Sequence, residues 1–296
     1  MTISIYPITP GFGAEIGDID LSRPVSEEDI DAIKQAFWKY AVLVFPEQRL
    51  SGSQHLEFAR RFGPLERSVA AYRPGDKLRL PDEIADVSNI DADNKLLDRN
   101  SRQRMYNLGN RLWHTDSSFR HVPALASLLY ARSIAPVGGH TEFADMRAAF
   151  DALPEETRKK IRGLVAEHSI FTSRAKLGFF DFAPEERAAL PPVKQMLVRL
   201  HPQSGRESLY LASHASCIVG MQEDEGIHLL ENLTAHAVQR QHVYTHRWRT
   251  NDLVIWDNRC TMHRGTEFDD LRWRRDFQRA TVEDIANSCD QAETPA

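Results

Sequence analysis

Leu112-Trp113-His114-Thr115-Asp116 places a histidine two residues before an aspartate. Side chains two residues apart point the same way only on an extended strand, where successive side chains alternate between the two faces. The stretch therefore predicts a strand on which an imidazole and a carboxylate lie side by side, as two ligands of a metal ion. His263, within residues 254–265, is the best candidate for a third ligand. Two histidines and one carboxylate on one face of an ion leave its other positions open, which is the pattern of non-haem Fe(II) oxygenases.

The composition is that of an ordinary globular protein. The chain has 296 residues, of which 42% are hydrophobic and 27% are charged, and this balance is typical of a soluble domain. A formal net charge of -5 argues against a general nucleic-acid binder. No apolar stretch approaches the length of a membrane span, and the N-terminus lacks the pattern of a secretory signal. The three cysteines are odd in number and widely spaced, so we expect reduced thiols in a cytoplasmic protein.

Helical and strand patterns alternate along the chain. Ser26 and Asp29 form a capping-box signal before apolar residues at helical spacing, which predicts a helix there, and a second helix follows from about Ser53. Strands are predicted at 41–45, 84–90, 126–135, 141–144, 197–201, 208–212, 242–247, 252–257 and 272–280, and further helices at about 146–163 and 223–238. Many short strands with interspersed helices indicate one barrel-like sandwich that is buttressed by helices.

Three segments depart from this regular pattern within a single predicted domain, 1–296. Residues 91–110 are polar and precede the metal-binding stretch, so they form either a surface loop or a lid. Residues 170–195 have no clear period and are interpreted as an insertion between strands. The tail at about 285–296, and Ser288–Ala296 in particular, is predicted to be disordered.

Four motifs give the chain a specific resemblance to a known family. They are Trp113-His114-Thr115-Asp116, residues 138–143, Trp256-Asp257-Asn258-Arg259 with His263-Arg264, and residues 274–281. In this order and approximate spacing they resemble the Fe(II)- and 2-oxoglutarate-dependent dioxygenases that include taurine dioxygenase and 2,4-dichlorophenoxyacetate dioxygenase. The resemblance implies a mainly β fold with flanking helices and a double-stranded β-helix (jelly-roll, cupin-like) core.

The resemblance also implies roles for individual residues. His114, Asp116 and His263 match the iron ligands, and Thr141 and Arg275 match residues that hold the distal carboxylate of 2-oxoglutarate. Arg279 matches an arginine near the iron that meets the anionic group of the substrate. The implied cofactors are Fe(II), 2-oxoglutarate as cosubstrate and O2, with ascorbate supporting activity. The implied reaction oxidatively decarboxylates 2-oxoglutarate to succinate and CO2 and hydroxylates a substrate.

The pattern around the two arginines supports these roles independently. On a strand at 272–280, the inward face would carry Trp273, Arg275, Phe277 and Arg279, and the opposite face would present Arg272, Arg274, Asp276 and Gln278 to solvent. Two buried arginines are unfavourable unless anions reach them. A guanidinium also fits a carboxylate with two parallel hydrogen bonds. Pairing with an internal Asp or Glu is the alternative for each arginine.

Within the family, the sequence most resembles the phenoxyacetate branch. Residues 143–154, Arg199-Leu200-His201 and His214-Ala215-Ser216 carry this likeness. It implies hydroxylation beside the ether oxygen of an aryloxyalkanoate, and the product then collapses to a phenol and glyoxylate. His201 matches a pocket histidine, but a hydrogen-bonded histidine at a strand end is an equal alternative.

Two further sets of residues carry open assignments. Asn89 and Lys95 lie where the family has a substrate-side loop, with a solvated lysine as the alternative. Asp257, Asn258 or Arg259 could orient the metal-binding imidazoles or could simply form a turn.

One departure from the family leaves the substrate open. The loop 67–73 lacks a lysine that the phenoxyacetate branch carries there. The expected partner is a small anionic aromatic substrate, and the alternative is a sulfonate or alkyl sulfate as in taurine-like chemistry. A zinc hydrolase and a non-catalytic barrel binder are less favoured alternatives. We expect no nucleic acid and no membrane partner, and we expect a homo-oligomer because assemblies occur among relatives.

Overall fold

The computed structural model describes residues 3–72 and 78–291. The strands in these ranges are β1 Ser4–Pro7, β2 Ala14–Gly17, β3 Val42–Phe45, β4 Ala85–Asp86, β5 Ala124–Ser133, β6 Thr141–Asp145, β7 Val165–His168, β8 Val193–Met196, β9 Val198–Leu200, β10 Glu207–Leu209, β11 Ala215–Ile218, β12 Val243–His246, β13 Leu253–Asp257, β14 Thr261–Gly265 and β15 Asp276–Glu283. The α-helices are α1 Glu27–Tyr40, α2 Gly52–Arg60, α3 Arg102–Asn107, α4 Met146–Asp151, α5 Glu155–Ile161, α6 Ile170–Ala175, α7 Pro184–Ala189, α8 Glu223–Ala237 and α9 Ser288–Gln291. Short 3-10 helices cover Val69–Tyr72, Leu108–Arg111 and Arg240–His242.

Two sheets enclose the central core. The larger has seven strands in the order β1-β2-β3-β13-β5-β15-β4, and a smaller one has the order β12-β6-β14. Val44, Val254 and Trp256 of the large sheet pack with Phe143 of the small sheet in one buried cluster. A strand whose side chains are buried on both faces has a nearly continuous apolar sequence, as β3 and β13 do. This arrangement confirms the mainly β fold with a jelly-roll core.

Helices α1 and α2 cover the outer face of the large sheet. The Ser26 side chain accepts a hydrogen bond from the Asp29 amide, which caps α1 as predicted. Ile33 and Phe37 of α1 pack in the same cluster as Leu43 and Ile255 of the sheet. Because side chains alternate along a strand, β3 supplies both this outer cluster and the central core.

Helices α4 and α8 cover the outer face of the small sheet. Phe150 of α4 and Leu230 of α8 share a buried cluster with Ala144 of β6 and Met262 of β14. The small sheet is therefore held between the central core and these two helices, and one of its strands, β14, carries His263.

The strand predicted at 272–280 is wrong at its start. The strand begins at Asp276, and both Asp276 and Gln278 are buried rather than solvent-exposed. Asp276 accepts a hydrogen bond from Arg79 at 2.8 Å, so a distant segment supplies the partner that allows this carboxylate to be buried. The strand predicted at 84–90 is likewise shortened to β4, Ala85–Asp86.

The irregular segments have more structure than the sequence indicated. Residues 91–110 contain α3 and most of a 3-10 helix, and residues 170–195 contain α6, α7 and part of β8. Ser288 is buried, and its hydroxyl accepts a hydrogen bond from the Met196 amide at 2.9 Å. The predicted disorder is therefore wrong for residues 288–291, which form α9, and residues 292–296 lie outside the described residues.

Within the described ranges, no helix combines the length and the apolar character that a bilayer crossing requires.

The turn at Gly138 connects β5 to β6, and through β6 to Thr141. Gly138 has a φ of +74°, and a Cβ there would overlap the Glu267 carbonyl oxygen. Gly163 has a similar φ of +78°, but a Cβ there would have no atom within 4 Å. The two glycines therefore share one backbone requirement and differ in packing.

We expect Gly138→Ala to lower the free energy of unfolding by more than about 2 kcal/mol, since it adds a backbone overlap to a left-handed penalty of about 1–2 kcal/mol. Gly163→Ala, the matched control, should carry only the left-handed penalty. Urea denaturation of both variants measures the difference. Equal losses of stability would show that the Glu267 contact does not restrict this turn.

Candidate active site

His114 and His263 face each other across an isolated antiparallel bridge. The His114 amide donates to the His263 carbonyl at 3.0 Å, and the His263 amide donates to the His114 carbonyl at 2.8 Å. Their ring centroids lie 4.2 Å apart. The strand predicted around His114 is therefore reduced to this one bridge, and the paired backbone is what brings the two imidazoles together.

Asp116 enters the same site because the chain turns immediately after the bridge. Ser117 adopts a φ of +52° at this turn. The Asp116 carboxylate lies 3.6 Å from Nε2 of His114 through Oδ1 and 3.6 Å from Nε2 of His263 through Oδ2. All three residues are buried, and one ligand atom from each lies within 4.8 Å of the others. Histidine and carboxylate ligands hold an ion at about 2.0–2.2 Å, so this donor set fits a metal after small side-chain movements.

The two imidazoles are held in different ways. Nδ1 of His114 donates to the Leu112 carbonyl at 2.7 Å, which leaves the lone pair of Nε2 available to a metal. The His263 ring packs 4.6 Å from Trp256 and 6.0 Å from Phe143. Burial, with His114 alongside, holds the pKa of His263 well below its usual value. The neutral imidazole that metal binding requires is therefore favoured.

The Asp116 carboxylate is oriented by side chains of the large sheet and of the turn after it. Ser127 donates to Oδ2 at 2.8 Å, and Asn258 accepts from the Asp116 amide at 3.2 Å and donates to Ser127 at 3.0 Å. Arg279 donates to Oδ1. Burial alone would raise the pKa of Asp116, but Arg279 and His263 hold it well below its usual value. Asn258 thus orients the carboxylate rather than the imidazoles.

His201 belongs to a separate buried group. Its Nε2 lies 2.9 Å from Oδ2 of Asp257, and Arg259 donates to the same carboxylate at 2.7 Å. Cys260 completes a second set of potential ligand atoms there, but Arg259 already neutralises Asp257, and burial raises the pKa of the Cys260 thiol. This group is an ion-paired network, and His201 lies outside the lining of both cavities beside the triad.

Two cavities meet at the His114–Asp116–His263 triad. The smaller has a volume of about 90 Å³ and is lined by His114, His263, Thr141 and Arg275, among others. The larger has a volume of about 440 Å³ and is lined by His114 and Asp116, among others. Arg279 lines both. The arrangement offers one small compartment and one large compartment beside a single candidate metal site.

The smaller cavity brings together the two residues that were predicted to hold the cosubstrate. Thr141 Oγ1 accepts a hydrogen bond from the Trp248 indole at 3.0 Å. Because an indole N–H is only a donor, the Thr141 hydroxyl keeps its own hydrogen for an acceptor in the cavity. The Arg275 guanidinium lies 3.6 Å over the Phe277 ring, and burial lowers its pKa to about 9.

Arg275 differs from the other arginines of this cavity. Arg104 and Arg111 pair with Asp270, and Arg279 pairs with Asp116. In the part of the chain that the structure describes, Arg275 has no acidic residue at ion-pair distance. A partly buried guanidinium without an anion is unfavourable, so this cavity is suited to bind a carboxylate.

The structure separates the two predicted substrate-side residues. Asn89 lines the smaller cavity, but its amide donates to the carbonyls of Asp270 and Trp273, and its oxygen accepts from the Arg275 amide at 2.8 Å. Asn89 therefore positions the backbone of Arg275. Lys95 is exposed on a turn closed by Asp91 and lines neither cavity, which matches the solvated alternative.

The larger cavity has walls from the irregular segments. Tyr106 comes from the 91–110 segment, and Ile170 and Arg174 come from the 170–195 segment. The loop that lacks the expected lysine contributes Arg67–Ala70, whereas Arg73 lies outside the described residues.

Sequence reasoning missed three residues of this region. Ser127 lies within the largely apolar run of β5, but nothing in the run indicated its contact with Asp116. His214 lines the larger cavity, and its ring centroid lies 6.0 Å from that of His114. Arg174 lies in a segment without periodicity, so no sequence pattern indicated that it would be buried.

The sequence profile of the family described as "Taurine catabolism dioxygenase TauD, TfdA family" matches residues 4–281. The chain belongs to this family. Membership identifies it as a dioxygenase, and so as an oxidoreductase, rather than the zinc hydrolase or non-catalytic binder that the ligand pattern alone left open.

Individual relatives cover nearly the whole chain. An alpha-ketoglutarate-dependent 2,4-dichlorophenoxyacetate dioxygenase of Cupriavidus pinatubonensis is 43% identical over 286 residues, which is 97% of this chain and 99% of that protein. An (S)-phenoxypropionate/alpha-ketoglutarate-dioxygenase of Sphingobium herbicidovorans is 36% identical over 274 residues, 90% of each chain. The crystal structure of AAD-2 with Mn(II) and N-oxalylglycine is 45% identical, has a TM-score of 0.89 and spans 97% of this chain and 99% of its own.

We expect His114→Ala to weaken binding of Mn(II) more than about 100-fold, because loss of a ligand should exceed the 10–100-fold effect of losing a partner of a ligand. Isothermal titration calorimetry measures the affinity. His228→Ala, on the exposed side of α8, is the control and should leave it unchanged. Unaltered Mn(II) affinity in His114→Ala would remove this triad as the metal site.

Arg275→Met should weaken 2-oxoglutarate binding and raise the stability of the protein. Loss of a charged hydrogen-bonding partner should weaken 2-oxoglutarate binding by about tenfold to 150-fold, whereas the ligand-free protein should become more stable because an unpaired buried charge is removed. Calorimetry and thermal unfolding of the Mn(II)-loaded protein measure the two effects. Arg111→Met, which removes an already paired arginine of the same cavity, should do neither. Unchanged 2-oxoglutarate affinity in Arg275→Met would contradict the assignment.

Proposed function

We propose that this protein is an Fe(II)- and 2-oxoglutarate-dependent dioxygenase that acts on an aryloxyalkanoate such as 2,4-dichlorophenoxyacetate. The carbon next to the ether oxygen is hydroxylated, and the resulting hemiacetal releases a phenol and glyoxylate. One O2 is consumed with one 2-oxoglutarate: one oxygen atom enters the substrate, and the other enters succinate as CO2 leaves. The observation that carries this proposal is the buried His-Asp-His set between a small cationic cavity and a large partly aromatic one.

The relatives support the substrate class. The 43% identical protein is named for 2,4-dichlorophenoxyacetate, and the 36% identical protein for (S)-phenoxypropionate. Both names describe an aryl ether that carries a carboxylate. The larger cavity of this chain presents Phe119 and Tyr106, which suit an aryl ring, beside arginines, which suit its carboxylate.

Different residues of the chain bind the metal, orient its carboxylate ligand and bind the cosubstrate. His114, Asp116 and His263 hold the metal, and Ser127 keeps the Asp116 carboxylate in its orientation. Thr141 and Arg275 hold the distal carboxylate of 2-oxoglutarate, which fixes where the reacting end of the cosubstrate lies. When bound, Fe(II) with 2-oxoglutarate and O2 supplies the oxidant that attacks the substrate C–H bond, and ascorbate keeps the iron reduced.

Arg279 is the arginine that the linings of the two compartments share. It lines both cavities and hydrogen-bonds the ligand carboxylate of Asp116. We propose that it also meets the anionic group of the substrate, as the family resemblance implies. His201 and Lys95 have no part in this proposal, because neither lines a cavity.

The wider organisation is proposed on the same basis. We propose one catalytic domain over 1–296, since the family match runs from residue 4 to residue 281, with the segment 91–110 closing as a lid over the cavities that it lines.

We also propose a cytoplasmic homo-oligomer, and the free thiols of Cys217, Cys260 and Cys289 fit a reducing compartment. Multi-angle light scattering measures the assembly, and a monomer would contradict it.

Succinate formation by the purified protein with Fe(II), ascorbate and 2-oxoglutarate tests the function. The substrates are phenoxyacetate, 2,4-dichlorophenoxyacetate, both enantiomers of 2-phenoxypropionate, taurine and an alkyl sulfate, with His114→Ala as the inactive control. We expect succinate and phenol in equal amounts from at least one aryloxyalkanoate, with activity in His114→Ala reduced more than about 1,000-fold, or about 4 kcal/mol.

The panel also separates the alternatives. Succinate formed only with taurine or the alkyl sulfate would keep the reaction and replace the substrate class. No substrate-dependent succinate from any compound, by protein that binds Fe(II) and 2-oxoglutarate, would contradict the proposal.

A further inference from the structure

Six arginines of the described residues line the larger cavity, and five of them have acidic partners. Arg67, Arg79, Arg102, Arg120 and Arg279 pair with Asp82, Asp86, Glu186, Glu66 and Asp116, respectively. For Arg174, no carboxylate of the described residues lies at ion-pair distance. Among the described residues, Arg174 is therefore the one arginine of this cavity without a carboxylate partner.

Arg174 is also deeply buried. Its relative exposure is 5%, and its Nε has no hydrogen-bond partner among the described residues. The guanidinium lies 4.4 Å over the Tyr106 ring, and Nη1 donates to Ser173 Oγ at 3.1 Å. Burial, the largest influence, lowers the pKa of Arg174. An arginine in such a position is unfavourable without an anion.

The packing at Gly109 provides separate support for the position of Arg174. A Cβ built at Gly109 would lie 2.6 Å from Nε of Arg174 and would overlap the end of its guanidinium. Gly109 has no positive φ that would itself favour glycine. Glycine at this position is therefore explained by the close approach of Arg174, whose guanidinium is held between the 3-10 helix and Tyr106.

A hydrogen-bonded path joins Arg174 to the metal side of the cavity. Ser173 Oγ donates its hydrogen to the Ile170 carbonyl, so it accepts from both Arg174 and Nδ1 of His214, the latter at 2.9 Å. His214 is a neighbour of His114, with ring centroids 6.0 Å apart. Arg174 is thus fixed in the part of the larger cavity's lining that adjoins the metal ligand His114.

We propose that Arg174, together with Arg279, binds the carboxylate of the aryloxyalkanoate substrate, and that Arg174 determines the preference for an anionic aryl ether. This assignment rests on the proposed function. A guanidinium can form two parallel hydrogen bonds with a carboxylate, and Arg174 lines the larger cavity. Phe119 and Ile170, which line the same cavity, provide apolar surface for the aryl ring.

Paired ligands that differ only in charge test the assignment. Phenoxyacetate and phenoxyacetamide share the aryl ether and differ at the carboxylate. Calorimetry on protein loaded with Mn(II) and N-oxalylglycine, which does not turn over, measures both dissociation constants. The variants are Arg174→Met, which removes the charge, Arg174→Lys, which keeps it as a point charge, and Gly109→Ala, which displaces the guanidinium without changing any charge. Arg67→Met, a paired and exposed arginine of the same cavity, is the matched control.

We expect Arg174→Met and Gly109→Ala to weaken phenoxyacetate binding by about tenfold to 150-fold, with phenoxyacetamide binding changed less than about threefold and a partial effect in Arg174→Lys. Arg67→Met should leave both constants unchanged. In turnover, the loss should appear in KM and not in kcat. Equal weakening of both ligands, unchanged phenoxyacetate binding, or no phenoxyacetate binding by the wild-type protein would each overturn the assignment.

The same measurements distinguish failure of this assignment from failure of the function. Arg174-dependent binding of phenoxyacetate without substrate-dependent succinate would leave Arg174 as an anion site and contradict the proposed reaction. Phenol and succinate formation that is insensitive to Arg174→Met would keep the reaction and reject Arg174 as the carboxylate contact.

Discussion

Two backbone hydrogen bonds between His114 and His263 hold the candidate site together. They join an irregular segment to β14, and they set both the approach of the two imidazoles and the point at which the chain turns to present Asp116. A metal site requires ligands placed to within a few tenths of an ångström, and backbone pairing achieves this better than flexible side chains alone. Both cavities open from this bridge, so their geometry depends on it as well.

Patterns that depend on neighbouring residues were readable from the sequence. The His-x-Asp spacing correctly indicated that His114 and Asp116 share a site, although a bridge followed by a turn achieves this rather than a regular strand. The capping signal at Ser26 predicted where α1 begins. Both are local properties of the backbone, and local properties leave a trace at fixed offsets in the sequence.

Features that depend on distant contacts were not readable. Asp276 is buried because Arg79, 197 residues away, pairs with it, and no local pattern contains that information. His201 could not be separated from a substrate ligand until Asp257 and Arg259 were found around it. The segments 91–110 and 170–195 lack a clear hydrophobic period because their helices are short and several of their residues line the larger cavity.

The two compartments of the site have the same pattern of charge. Within the described part of the chain, each cavity contains several arginines that are neutralised by acidic residues and one that is not, Arg275 in the smaller and Arg174 in the larger. Holding unpaired buried charges lowers the stability of the ligand-free protein, and such local conflicts with folding are characteristic of functional sites. Each compartment thus offers one such guanidinium to an anion, and in the larger compartment Arg279, which also pairs with Asp116, is proposed to meet the same substrate anion.

The tryptophans around the site give the protein an optical property of its own. Trp248 and Trp256, two of the five tryptophans in the chain, contact proposed site residues through their rings: Trp248 donates its indole N–H to Thr141, and the ring of Trp256 lies 4.6 Å from that of His263. Indole emission is sensitive to hydrogen bonding at the ring nitrogen and to quenching by a nearby metal ion. The intrinsic fluorescence of the unlabelled protein should therefore respond separately when the metal site and the small cavity are filled, which makes the order of their filling observable in a stopped-flow experiment.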